Sequence, residues 1–209
     1  MKKILFCDID STINNHWLRI QKWSNPASNN NIHWKAFTAK ELMQDQPLPN
    51  SKESLKELSK YYSINFLTAR GFNRYNKWRI FPEKYYDTFF GLFALKVNNF
   101  LSIIWAKIFS KETITEAKYA YQITQEWLIK HGFIYDSLIV VDSMDEKIEI
   151  LHDIQCDLLI DDMSWGQENN GSYVNLYEDA IMKLDEMNIN YEIFNEENNW
   201  LKIAEKYSK

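Results

Sequence analysis

Four short apolar runs, at residues 4–7, 64–67, 138–141 and 158–160, constrain this chain more than any other feature. Apart from Asn65 they are continuous, the pattern of strands covered on both faces. Each runs directly into polar residues: Asp8 and Asp10, Thr68 and Arg70, Asp142 and Ser143, Asp161 and Asp162. Helical patterns separate or follow them, at 51–61, 115–130, 145–154, 177–187 and 198–207, with a further short strand at 191–194. This alternation predicts an α/β fold, a doubly wound, Rossmann-like parallel sheet. Ligands of such sheets bind outside the carboxyl ends of the strands, so four polar strand ends predict one shared site.

A chain of 209 residues suffices for one domain with a full core, and a single domain over 1–209 is expected. Two stretches exceed what crossovers need. Residues 13–46 contain Trp17, Trp23, Trp34 and Asn29-Asn30-Asn31, and residues 71–111 are rich in aromatics. Loops this long usually carry function or structure of their own. Both leave from the polar strand ends, so they are expected to form a small, mostly helical cap or insert.

Composition removes several classes. The formal net charge is -5, which gives no broad attraction to nucleic acid, and Arg70, Arg74, Lys77 and Arg79 form only a short basic cluster. Cys7 and Cys156 adjoin apolar runs and read as small buried hydrophobes, which fits a reducing, cytoplasmic location. The apolar run after Met1-Lys2-Lys3 meets Asp8 too soon for an export signal. The most apolar region, 89–109, is interrupted by Lys96, Asn98, Asn99 and Lys107, so no transmembrane segment is expected. It reads instead as an amphipathic helix packing on the body, a partner or a membrane surface, and the 71–111 insert as a candidate contact to a second copy of the chain or a partner.

The strand-end residues suit phosphate chemistry. Hydrolysing a phosphate monoester takes a nucleophile, shielding of the phosphate charge and a proton for the leaving group. A carboxylate serves as nucleophile through an aspartyl-phosphate. Magnesium takes oxygen ligands, typically one or two carboxylates with water and phosphate. A lysine and a hydroxyl complete the cradle. Asp8, Asp10, Thr68, Lys147, Asp161 and Asp162 supply these parts.

Taken in order, these segments resemble the haloacid dehalogenase-like superfamily of phosphatases. Asp8, Asp10 and Thr12 match its Asp-x-Asp-x-Thr motif, Thr68 its second motif, Lys147 its third and Asp161-Asp162 its fourth, over residues 1–163. The resemblance implies that Asp8 is the nucleophile and a metal ligand. Asp10 would be the general acid and base, with its backbone carbonyl on the metal. Thr68 and Lys147 would hold phosphate oxygens, with Ser11 and Ala69 beside them in the cradle. Asp162 would bind Mg2+ directly and Asp161 through water. Ser11 replaces the commoner glycine.

Plainer readings stand beside these. Asp8 and Asp10 suit a turn or cap after a strand, and Thr68 suits a helix cap. Lys147 suits a solvated helix face, with Lys130 its competitor for the phosphate role. Arg70 either touches substrate or packs on the insert. Asp142 reads as lying behind the site, and His16, His33, His131 and His152 show no metal spacing. The stretches 48–51, 67–70 and 124–128 are similar to the nucleotidase and polynucleotide-phosphatase-like branch. A small phosphorylated metabolite is the expected substrate, with a nucleoside monophosphate in front. A polynucleotide end phosphatase, a phosphotransferase and a non-catalytic binding module using the aromatic insert are the alternatives.

Overall fold

The computed structural model describes residues 2–23, 36, 39–70, 120–141, 143–165 and 175–209. In chain order its first elements are β1 (Lys3–Cys7), α1 (His16–Trp23), α2 (Ala39–Leu42), α3 (Ser51–Leu58) and β2 (Tyr62–Thr68). Next come α4 (Ala120–His131), β3 (Ser137–Val140), α5 (Met144–Ile154) and β4 (Leu158–Asp161). The chain then adds β5 (Ser164–Trp165), β6 (Asn175–Leu176), α6 (Glu178–Glu186), β7 (Tyr191–Ile193) and α7 (Trp200–Tyr207).

Five strands form one sheet in the order β3-β2-β1-β4-β7, and every pairing in it is parallel. Leu5 of β1 lies in register with Ile64 of β2 on one side and Leu158 of β4 on the other. The α/β class expected from the apolar runs is therefore present. The order reverses beside β1: the chain goes outward to β2 and β3, then returns to β4 and β7. The ends of β1 and β4 flank the switch point, where open parallel sheets hold ligands.

Side chains alternate across a strand, so each strand feeds two cores. Leu5, Cys7, Ile64, Phe66, Leu158 and Ile160 pack with Leu55 and Leu58 of α3, Trp127 and Leu128 of α4, and Trp200 and Ile203 of α7. Phe6, Leu67 and Leu159 pack on the opposite face with Ile148 and Leu151 of α5 and Ala180 and Leu184 of α6. This two-sided burial explains the continuous apolar runs. Asn65 interrupts its run because it is satisfied there: its Nδ2 donates to Leu5 O at 3.3 Å and its Oδ1 accepts from Ser137 Oγ at 2.7 Å.

Local signals set the helix ends. Ser143 caps α5 by accepting from Glu146 N, as expected of a Ser three residues before a Glu. Gly132, at φ +70°, ends α4, with Gly132 N bonded to Ile129 O and Phe133 N to Leu128 O. Of the first long stretch, α1, α2 and the residues leading to α3 are described, and Ile20, Ala36 and Leu42 are buried. The aromatic insert at 71–111, Asp142, and Trp34 lie outside the described residues. The antiparallel pair β5–β6 has no counterpart in the apolar pattern, because two-residue strands are too short to show periodicity. Among the described residues, no helix is long and apolar enough to cross a membrane.

Glu192 on β7 fastens the closing helix. Its carboxylate accepts from Lys206 Nζ and Tyr207 OH, each at 2.5 Å, and from Asn198 Nδ2 at 2.9 Å. Burial pushes this carboxyl up, but the three donors outweigh burial and hold it below its ordinary 4.5. The stabilisation is thus complete above 4.5 and is lost as pH falls through the lower folded-state value. Glu192→Gln should lower unfolding free energy at pH 7 by about 1–3 kcal/mol. Urea titrations should show that difference shrinking at pH 3, and an equal deficit at both pH values would contradict it.

Candidate active site

The chain leaves β1 at Cys7 and turns at once. Ile9 O accepts from the backbone N–H groups of Thr12, Ile13 and Asn14 at 3.0–3.3 Å, while the Ile9 and Ile13 side chains are buried in the first core. Apolar residues on either side of Asp10 thus anchor a tight turn. Ser11 sits in it at φ +66°, a left-handed conformation that glycine adopts without strain. Trp200 reinforces the turn from α7, its indole N–H donating to Thr12 O at 2.8 Å.

Asp8 follows β1 directly, and its N–H donates to Ile160 O of β4 at 2.9 Å, so the ends of the two strands stay together. Lys147, in the second turn of α5, is fully buried between them. Its Nζ donates to Asp8 Oδ1 and to Asp161 Oδ2, both at 2.7 Å. Asp161 Oδ1 accepts from Met163 N at 2.7 Å. Asp162 is tied back to the first motif: Thr12 Oγ1 donates to its Oδ1 at 3.2 Å and accepts from its backbone N at 3.0 Å. Ser164 Oγ donates to Asp162 Oδ2 at 2.5 Å.

Asp8, Asp161 and Asp162 are all buried, and each offers an oxygen within 4.8 Å of the others. Lys147 is shared by Asp8 and Asp161, and Asp162 lies alongside them. Burial pushes the Asp8 carboxyl up to about 7, with Lys147 opposing the rise and the charges of Asp161 and Asp10 adding to it. Burial, then the charges of Asp161 and Asp8, likewise push Asp162 well above the usual carboxylate range. An all-oxygen, acidic cluster of this kind can hold a hard divalent cation such as magnesium.

Asp10 belongs to a different group. Arg70 grips it with two nitrogens, Nε to Oδ2 at 3.0 Å and Nη2 to Oδ1 at 2.8 Å. Arg19 Nη2 stands 3.6 Å from the same Oδ1. Burial alone would raise this carboxyl, but the charges of Arg70, His16 and Arg19 hold it well below the usual range. A quarter of the Asp10 side-chain surface remains exposed.

No protein-family model matches the chain, and no curated protein does. The geometry therefore carries the functional reading.

The structure brings Asp8, Lys147, Asp161 and Asp162 into one contact group, with Asp10 beside it. Thr68 is buried at the end of β2, the strand next to β1, and Ala69 packs against the second core. Ser11 Oγ lies 2.5 Å from His16 Nδ1. Lys130 donates to Met43 O at 2.7 Å, whereas Lys147 contacts the acidic cluster. Arg70, for which two roles stood open, is placed on Asp10. Sequence reasoning missed Asn14, Arg19, Asp45, Thr124 and Ser164. Thr12 had a motif match but no assigned contact, and its bonds to Asp162 depend on two strand ends 150 residues apart in sequence meeting in space.

Lys147→Met should destabilise the fold by about 3–5 kcal/mol at pH 8, the cost of stranding buried carboxylates. The deficit should shrink as pH falls through about 7, where Asp8 takes up a proton. Denaturant unfolding at pH 8 and pH 5.5 reads this, and a deficit that grows on acidification would contradict it.

Proposed function

We propose that this protein is a magnesium-dependent phosphomonoesterase of the haloacid dehalogenase-like superfamily, acting through an aspartyl-phosphate on Asp8. The observation that carries the reading is Lys147 Nζ held between Asp8 and Asp161, with Asp162 alongside, at the switch point of a parallel sheet. Turn or capping roles do not account for three buried acids around one lysine, and neither does a binding surface in the aromatic insert.

In the first half of the reaction an Asp8 carboxylate oxygen attacks phosphorus, and the bond from phosphorus to the ester oxygen breaks. The departing oxygen takes its proton from Asp10. In the second half, water attacks phosphorus and passes a proton to Asp10. The bond from phosphorus to the Asp8 oxygen then breaks, giving inorganic phosphate and restoring both side chains. Arg70 holds Asp10 in the ionised form that the second half uses. The first half uses the protonated form, so Asp10 takes up one proton before the first turnover, and each second half then regenerates it. Lys147 and the Thr68 position cradle the phosphate oxygens, Lys147 offsetting their charge.

Asp8 and Asp162 would hold magnesium directly, with the Asp10 backbone carbonyl, and Asp161 through water. Bound there, the ion supplies the positive charge that lets a phosphate approach three carboxylates. The substrate is a small phosphorylated metabolite, with a nucleoside monophosphate as the leading choice.

Asp8→Asn should lower magnesium-dependent phosphate release by more than about 10³-fold while leaving the fold intact. A screen of nucleotides, sugar phosphates and 3′-phosphorylated oligonucleotides supplies the assay, and retained turnover would sink the assignment. Metal ligands must be deprotonated. With Asp8 raised to about 7, magnesium affinity measured by calorimetry should therefore rise between pH 6 and pH 8. Asp162→Asn should weaken that affinity at least about tenfold.

A further inference from the structure

Beyond Arg70, Asp10 is surrounded by a second buried charge group that the reaction above does not use. Arg70 is only 5% exposed, and its third nitrogen, Nη1, donates to Thr124 Oγ1 of α4 at 2.7 Å. Arg19 is equally buried. Its Nε lies 3.1 Å from both carboxylate oxygens of Asp45, and its Nη1 donates to Ala36 O at 2.5 Å. Asn14 Nδ2 bridges the two acids, 3.1 Å from Asp10 Oδ1 and 3.3 Å from Asp45 Oδ2. Asp45 is itself fixed to α4, its carbonyl accepting from Trp127 Nε1 at 2.9 Å. Thr124 and Trp127 are one turn apart, so a single helix anchors both arginines, one through each residue.

Packing does not require this group. Two buried guanidinium groups paired with one buried and one partly exposed carboxylate are weak contributors to stability, since desolvation offsets much of their attraction. What a planar guanidinium held at its far end does supply is a defined position for the carboxylate in its fork. Asp8 and Asp10 lie on one turn, two residues apart, and Lys147 claims only Asp8. The arginines keep the second carboxylate out of that cluster.

We propose that Thr124 and Asp45 are positioning residues that act through Arg70 and Arg19 to aim the Asp10 carboxylate for proton transfer. This rests on the phosphatase reading above. Its signature is a defect in the first half of the reaction that is confined to esters whose leaving group needs a proton.

The test measures steady-state hydrolysis of aryl phosphates graded from p-nitrophenyl to phenyl, with magnesium present and thermal unfolding as the check on folding. p-Nitrophenolate departs without a proton, whereas phenolate benefits from one. Thr124→Val keeps the side-chain volume and removes the acceptor for Arg70. It should lower kcat/KM, which reports only the half in which Asp10 protonates the leaving group, by about 10–100-fold for phenyl phosphate and by less than about threefold for p-nitrophenyl phosphate. Thr124→Ser should recover most of the loss, and Asp45→Asn should reproduce the Val pattern. If Asp45→Asn does not fold, the Thr124 pair decides. Equal losses of kcat/KM on both esters, or no loss on either, would overturn the proposal and leave the phosphatase reading standing. A folded wild type that releases phosphate from neither ester would remove the phosphatase reading and this proposal together.

Discussion

Lys147 sits where charges are hardest to keep. Its ammonium group is buried 2.7 Å from carboxylates at the ends of two neighbouring strands, and the rest of the site is arranged around it. Like charges converging in a low-dielectric interior repel strongly, so the ends of β1 and β4 can bring Asp8 and Asp161 together only with a cation between them. That cation arrives from α5, whose place is set by the Ser143 cap and by Ile148 and Leu151 packing on the second core. The apolar face of one helix thus determines where the positive charge of the site lies.

The two charge groups around the turn are built differently. Asp10 and Asp45 face Arg70 and Arg19. Asp8 and Asp161 share Lys147, with Asp162 beside them. The first group suits holding a side chain in place. The second brings three carboxylates close enough to hold a divalent cation, consistent with the proposed reaction. Thr12 and Trp200 join the groups to the body through Asp162 and α7, which explains why the turn can hold Ser11 in a left-handed conformation.

Much of the frame was legible from the apolar runs, because strands covered on both faces must be apolar throughout. β1, β2, β3 and β4 lie where those runs stand, within one or two residues at each end, and the helix stop at Gly132 follows a local backbone rule. The acids were legible as strand-end residues. Arg19, Asp45 and Thr124 were not, since each looks ordinary in its own segment: Arg19 on an amphipathic helix, Asp45 in a loop, Thr124 within a helix. Their meaning lies in distances spanning 26 to 60 residues of chain, which no local pattern encodes.

The sequence by itself determined the alternation of strand and helix, and with it the sheet end at which Asp8, Asp10, Asp161 and Asp162 must emerge. Periodicity and caps are local, so they survive reading one residue at a time. Only the tertiary structure decided which cation each acid receives, giving Lys147 to Asp8 and Asp161 and the arginines to Asp10 and Asp45. Charge pairing depends on which helix packs against which strand, and that follows from how the two apolar faces of the sheet are filled.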